Sequence, residues 1–359
     1  MDIRNDILDL ADLYDTFFVD IYGVLYDGVN IYDGTLSTMQ KLKSLKKKVV
    51  ILSNTTQVAF DVKLGYSQRG MFEGVHYDEM VTSGEYVHHL VLNKPREFSN
   101  LIGSNGNKVK GLFLVNSSLF DGAHIVKVDD CADADFVYVG VPRSSYGSVR
   151  IDDVFDGDEL VDICDVVDRD WHNLKDSFGR KTFSEFAVAL DSCLEKNKVL
   201  VVANPDIFAH GSVQNDTAKV PIIMQGCIGK HYEKLGGKVA YFGKPYTGIF
   251  EYAKQFSNPD DRIAMVGDTP WTDIAGANNS SISSVMVMTG ITEEFCNRMD
   301  HALSDEEKIE SLLNNMTRKM SDIDGIHPTH VIHQFARVGG SDLGGSPQVF
   351  SASLLVEPT

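Results

Sequence analysis

The sequence predicts an α/β protein in which a parallel sheet, flanked by helices, is interrupted by an inserted second α/β unit. Two observations predict this. Short continuous apolar runs alternate with stretches of helical periodicity, the pattern of strands buried on both faces. These runs also form an early and a late group, with a region of different character between them. At 359 residues the chain is long for one compact domain and suggests roughly two, at about 100–200 residues each.

The elements follow in order. Phe17-Phe18-Val19 is a short apolar run ending at Asp20. Leu36, Met39, Leu42 and Leu45 recur at helical spacing, and Val49-Val50-Ile51-Leu52 is a second apolar run. Late in the chain the pattern repeats. Val239-Ala240-Tyr241-Phe242 is a strand before Gly243, Ile249, Phe250 and Ala253 give a helix face, and Ile263-Ala264-Met265-Val266 is a strand followed by a helix near Thr272. Val285-Met286-Val287-Met288 is a third late strand, and Val331-Ile332 reads as a short edge strand. The middle region has its own strand signals, Phe136-Val137-Tyr138-Val139 and Val199-Leu200-Val201-Val202-Ala203. It also has an acidic stretch from Asp152 to Asp170, expected to be a solvated amphipathic helix with Leu160, Ile163 and Val167 facing inward. The expected division is a discontinuous core over 1–84 and 226–337, an inserted α/β unit over 85–225, and a loosely ordered tail over 338–359 with paired glycines.

Composition narrows the function classes. Apolar residues make up 43% of the chain, enough for a sizeable core, and no run of about 18 apolar residues suggests a membrane-spanning helix. The first dozen residues are polar and acidic, unlike a secretory signal. The five cysteines are scattered, with no C-x-x-C pair, which argues against a disulfide framework or zinc site and for a reducing, cytoplasmic home. A net charge of −18 repels nucleic acid and anionic membranes, so neither is expected as a partner. A small anionic substrate is compatible with that charge, because a site can be locally positive. Self-association into a homo-oligomer is compatible with the sequence as well.

Four motifs carry the chemistry, each just after an expected strand. In an open α/β sheet that gathers them at the carboxyl edge, where ligands bind. In Asp20-Ile21-Tyr22-Gly23-Val24-Leu25 a carboxylate stands at a strand end with a glycine close behind. Ser53-Asn54-Thr55 offers a small hydroxyl and backbone N–H groups at an expected helix start, which suits phosphate oxygens. Gly243-Lys244-Pro245 offers a point charge, with proline expected at helix position N1. Val266-Gly267-Asp268-Thr269-Pro270-Trp271-Thr272-Asp273-Ile274 carries two carboxylates five residues apart, suited to a hard cation with oxygen ligands. Each has a plain structural alternative: a turn aspartate, a helix N-cap, a surface lysine, an acidic helix start. Their joint occurrence in this order is much more specific.

On these motifs the chain resembles the haloacid dehalogenase (HAD) superfamily of hydrolases, and within it the class IIA, NagD-like branch with an inserted α/β cap. Thr82-Ser83-Gly84 where the insertion departs, Asn204-Pro205-Asp206 near its end, and Tyr232-Glu233-Lys234-Leu235-Gly236-Gly237 before Gly243 add to the resemblance, which spans roughly residues 12–335. It implies a HAD-like Rossmannoid core and a Mg²⁺-dependent phosphatase acting on a small phosphorylated metabolite. Asp20 would be the nucleophile, forming an aspartyl-phosphate, and a metal ligand. Ser53, Asn54 and Lys244 would hold the phosphoryl group. Asp268 and Asp273 would serve the metal, with the backbone carbonyl of Tyr22. Asn204 and His210, on the returning segment, would lie near the entrance and contact substrate. The histidine pair His88-His89 lacks metal-ligand spacing and is expected on a helix surface.

Tyr22 departs from the family pattern. Most phosphatases of the superfamily carry a second aspartate there, as acid and base. A phenol, with an ordinary pKa of about 10, is a poor proton shuttle near neutrality, and loss of a general acid typically costs about 10²–10⁴ in rate. Asp27, in the following loop, could supply a carboxyl group, although Asp27-Gly28 is also a turn signal. An aromatic residue at this point resembles a NagD-like subgroup. Three readings follow: a phosphatase with a displaced acid or good leaving groups, a metal-independent dehalogenase-like hydrolase sharing the Asp-x-Tyr-Gly pattern, and a non-catalytic phospholigand-binding protein.

Overall fold

The computed structural model describes residues 3–104, 109–114, 119–120, 125–141, 143–144, 147–150, 163–175, 182–209, 222–319 and 326–337. Its first sheet contains β1 (Ile3–Arg4), β2 (Thr16–Val19), β3 (Lys48–Ser53) and β4 (Glu79–Thr82) from the early part of the chain. The middle of the chain supplies β5 (Val109–Phe113), β6 (Ile125–Val128), β7 (Phe136–Tyr138), β8 (Arg143–Ser144), β9 (Gly147–Ser148), β10 (Val199–Val202), β11 (Phe208–Ala209), β12 (Ile222–Ile223) and β13 (Lys238–Tyr241). β14 (Ile263–Gly267), β15 (Ser283–Val287) and β16 (His330–Ile332) complete the strands. The seven-stranded sheet has the order β1-β16-β15-β14-β2-β3-β4, with every pairing parallel. A second, five-stranded sheet has the order β13-β10-β7-β5-β6, also parallel throughout. The α/β class and the inserted second sheet are therefore as expected.

The expected periodicities have packing behind them. Phe17, Phe18 and Val19 of β2 are fully buried, because this central strand is covered on both faces. Burial of each aromatic contributes roughly 1.5–3 kcal/mol. Helix α1 (Thr35–Ser44) buries Met39 and Leu42, whereas Leu45 caps its end and is exposed. The late helix over Thr247–Lys254 buries Ile249, Phe250 and Ala253 against Phe18, Val50 and Met265.

Three expectations need correction. The strand at Val239 pairs with β10 of the second sheet, Val201 opposite Ala240, and not with the first sheet. The second sheet therefore runs past residue 225, and the chain returns to the first sheet only after Phe242. An apolar run predicts a strand but not its partner. Here the partner is set by the crossover through the helix at Gln225–Lys234, which packs on both strands. Second, β16 is not an edge strand, because the two-residue β1 covers it. A strand that short leaves no periodicity to read. Third, no helix starts at Ser53. A loop follows it, and the helix α2 begins at Ala59 and ends at Ser67.

The acidic stretch is described from Ile163 onward, where Ile163–Asp168 is helical and Val167 is buried. Its earlier part, with Leu160, lies outside the described residues, as do His210 and the tail over 338–359. Among the described residues no helix is long and apolar enough to cross a membrane. The cysteines Cys131, Cys193, Cys227 and Cys296 are free and buried.

Candidate active site

The carboxyl ends of β2, β3 and β14 converge because these strands are neighbours, with β2 in the middle. Val19 is in register with Val266 on one side and Ile51 on the other. Asp20, Asp268 and Ser53 therefore leave the sheet at nearly the same level. Asp273 comes back to this point on a π-helical turn, Pro270–Ile274. One carboxylate oxygen from each of Asp20, Asp268 and Asp273 lies within 4.8 Å of the others.

Lys244 enters the cluster from the segment after β13. Its Nζ lies 2.8 Å from Asp20 Oδ1, 2.7 Å from Asp273 Oδ1 and 2.9 Å from the carbonyl oxygen of Leu52. The residue is 1% exposed, so its charge depends on these partners. Burial alone would lower its pKa, and Asp20, Asp273 and Asp206 outweigh that and raise it. The Lys244–Pro245 peptide is cis, and the following helix starts at Thr247, so Pro245 does not occupy helix position N1 as expected.

Asn54 fixes the lysine backbone. Its Oδ1 accepts from Lys244 N–H at 2.7 Å, and its Nδ2 donates to Lys244 O at 2.9 Å and to Asp206 Oδ1 at 2.8 Å. Ser53 is buried at the strand end, and its Oγ accepts from Thr55 N–H at 3.4 Å. Ser83 Oγ donates to the carbonyls of Asn54 and Thr55, which ties this loop to the start of the insertion.

The carboxylates are strongly perturbed. Burial, then the charges of Asp273 and Asp20, push Asp268 well above the usual carboxylate range. Burial pushes Asp273 up to about 6 despite the opposing pull of Lys244. Asp268 is held by Ile291 N–H to Oδ2 at 2.6 Å and by the Thr269 hydroxyl to Oδ1 at 3.2 Å. Two glycines with left-handed backbones, Gly23 at φ 82° and Gly290 at φ 61°, close around it. A Cβ on either would overlap Asp268 Oδ2, so both sides of this carboxylate require glycine.

The remaining expected residues sort differently. Asn204 is buried, but its Oδ1 accepts from Asp206 N–H at 2.8 Å and its own N–H donates to Gln225 Oε1, so its side chain holds a turn. The residue on this segment that reaches the site is Asp206, through Asn54. Burial pushes its carboxyl up to about 7. The Asn-Pro-Asp run was the signal for it. Asp27 Oδ1 accepts from the N–H groups of Val29 and Asn30, the plain turn role. His88 Nδ1 meets the Leu119 carbonyl and His89 packs at a tilt against Tyr252, so the pair is half-buried packing. Tyr22 is 40% exposed, and its ring meets Tyr26 edge-on at 5.5 Å. Burial of the phenol and the nearby Tyr26 raise its pKa, and the charge of Asp20 adds to this.

Comparison with known proteins bears on the fold. A family model described as haloacid dehalogenase-like hydrolase matches residues 17–110, and one described as HAD-hydrolase-like matches residues 241–336. These segments carry all four motifs. A solved haloacid dehalogenase-like hydrolase from Brucella suis 1330 superposes with a TM-score of 0.62, covering 93% of this chain and 100% of its own at 18% identity. This is the haloacid dehalogenase-like fold. Within it, a 4-nitrophenylphosphatase of Schizosaccharomyces pombe is 24% identical over 298 residues, 80% of this chain and 87% of its own. A cardiolipin synthase (CMP-forming) / mitochondrial hydrolase fusion protein of the same yeast is 33% identical over 106 residues, and the match spans 18% of that protein. A cavity of about 750 Å³ opens at the opposite, amino-terminal edge of the HAD-like sheet, beside Tyr14, Asp261 and Arg262, and none of the site carboxylates lines it.

Proposed function

We propose that this protein hydrolyses small phosphate monoesters through an aspartyl-phosphate on Asp20, with Mg²⁺ as cofactor. The observation that carries this reading is the buried ammonium of Lys244, which bridges Asp20 and Asp273 within 2.8 Å. Attack of a carboxylate on a phosphate needs their mutual repulsion cancelled, and a fixed cation beside the nucleophile does this without reorganisation. The curated relatives that match across most of this chain support the same class of reaction.

Three carboxylates with oxygens within 4.8 Å of one another bring more negative charge than Lys244 balances. An all-oxygen donor set of this kind fits Mg²⁺. Asp20, Asp268 and the Tyr22 carbonyl would hold it, with Asp273 orienting its surroundings, and when bound it would supply charge neutralisation at the phosphoryl oxygens. This donor set also favours phosphoryl chemistry over metal-free carbon–halogen hydrolysis.

The residues divide the work as follows. Ser53 and the Asn54 N–H receive phosphoryl oxygens, and Lys244 neutralises them. An Asp20 oxygen attacks phosphorus, the bond from phosphorus to the ester oxygen breaks, and its electron pair leaves with that oxygen. Water then attacks phosphorus, freeing the Asp20 carboxylate and inorganic phosphate. Burial raises the pKa of the Tyr22 phenol further, so it is a poor donor of a proton to the leaving oxygen and takes none from the attacking water near neutrality. Turnover is therefore fastest for esters whose leaving group needs little protonation.

The test is phosphate release from 4-nitrophenyl phosphate with Mg²⁺, with EDTA, and in Asp20→Asn. The reading expects loss of at least about 10³-fold in the variant and loss on chelation. Activity that survives both contradicts it.

A further inference from the structure

Beside the nucleophile lies a cavity of about 190 Å³, bounded by Tyr22, Tyr26 and Tyr66 and by Thr55. Ile21 and Tyr22, which directly follow Asp20, form one wall, and Thr55, two residues past Ser53, forms another. The cavity is thus walled by chain neighbours of Asp20 and Ser53, although Asp20, Ser53 and Lys244 themselves do not line it. We propose that this cavity is the leaving-group subsite and takes a single aromatic ring, which makes aryl phosphates the preferred substrate class.

The argument rests on the phosphatase reading above and on three observations. The first is size. A cavity of about 150 Å³ holds a benzene ring, whereas drug-sized ligands need about 300–1,000 Å³. At about 190 Å³ there is room for one ring and not for a nucleoside. The second is the wall. Tyr22 meets Tyr26 at 5.5 Å and Tyr26 meets Tyr66 at 5.6 Å, both edge-to-face. A substrate ring would extend that chain in the geometry aromatic pairs prefer. The third is the rim, which carries Arg69, placed over the Tyr26 ring at 5.5 Å, and Asp61. With one charge of each sign, and with Gln57 and Thr55 also in the lining, the cavity does not select strongly for a charged substituent.

The chemistry of Tyr22 agrees with this choice. When the phosphorus–oxygen bond to an aryl group breaks, the electron pair leaves on a phenolate, which takes its proton from solvent. A phenol ionises near pKa 10, far below an alkyl alcohol, so departure does not wait for a carboxylic acid at position 22. The residue that removes the usual acid also builds the wall of a pocket for leaving groups that do not need one.

Gly65 gives the test. It lines the cavity from α2, and a Cβ there would meet only Arg69 Nη1, at 3.9 Å. Gly65→Leu fills the cavity, and Gly65→Ala fills it in part while favouring the helix. With Mg²⁺, kcat/KM would be measured on phenyl phosphate, an ester, and acetyl phosphate, an acyl phosphate, two substrates whose leaving groups need little protonation. The ratio of the first to the second should fall about tenfold in Gly65→Leu and less in Gly65→Ala. Thermal shift with phenylphosphonate against methylphosphonate reads the pocket without turnover. Wild type should be stabilised more by the phenyl compound, and Gly65→Leu should not. If Gly65→Leu does not fold, the same comparisons in Gly65→Ala decide. Unchanged ratios and equal shifts overturn the subsite. A protein that discriminates the phosphonates but turns over neither substrate retains the subsite and contradicts the phosphatase reading.

Discussion

Lys244 decides the electrostatics of the site. It is fully enclosed and bonded to Asp20, Asp273 and Leu52 O, so removing it leaves buried carboxylates without their counter-charge. Lys244→Met should destabilise the metal-free protein at neutral pH by about 3–5 kcal/mol, measured by urea unfolding, and Mg²⁺ should recover part of the loss. A neutral substitution would contradict the ion-pair geometry. At this scale the sequence was informative about identity and less so about role. Asp20, Ser53 and Asp268 were legible because each follows an apolar run that forms a buried strand, and Lys244 and Asp273 because they lie in the short motifs next to such runs. Asp206 was not singled out, because its connection to the site runs through Asn54 across 152 positions of sequence. Asn204 was expected at the substrate, and its Oδ1 also closes a turn on Asp206 N–H that only the folded backbone makes visible.

At the scale of the element, glycines in the connecting loops matter as much as the strands. Gly23, in a loop, and Gly290, at the start of the helix Gly290–Asn297, meet on either side of Asp268. Gly74 has a similar left-handed backbone, φ 78°, with nothing within 4 Å of a built Cβ, so it is a matched control. Gly74→Ala should cost about 1–2 kcal/mol, the backbone term alone. Gly290→Ala should cost more, and it should also weaken Mg²⁺ binding read by isothermal calorimetry. Equal costs with unchanged Mg²⁺ affinity would show that the glycine slot does not position Asp268. Strand existence was legible from periodicity in β2, β3, β10, β14 and β15, while strand partnership was not. The Val239 run is as apolar as the runs of the first sheet, and its place beside β10 is set by the crossover helix between them. The two-residue β1 is too short to leave a pattern at all.

For the whole molecule, the burial of acidic groups at one sheet edge couples stability to pH and metal. Burial raises the folded-state pKa of Asp273 to about 6 and that of Asp268 well above the usual range. The folded protein therefore binds more protons than the unfolded chain above about pH 4, so metal-free stability should fall as pH rises from about 4 towards 7. Mg²⁺ competes with those protons, so its affinity should weaken by up to about tenfold per pH unit below pH 6. Melting curves at pH 5, 6 and 7.5 with and without Mg²⁺ should show the metal-induced shift growing with pH, and a constant shift would contradict this. The two-sheet arrangement was legible from the order of apolar runs, but its seam was not, because the sheet edge and the chain's return cross the expected boundary. The central claim is that Asp20 carries the phosphoryl group. Borohydride quenching during turnover of an aryl phosphate reduces an aspartyl-phosphate to homoserine, and peptide mass spectrometry locates it. The account predicts homoserine at position 20 in wild type and none in Asp20→Asn. Steady phosphate release with aspartate intact at position 20 would contradict it.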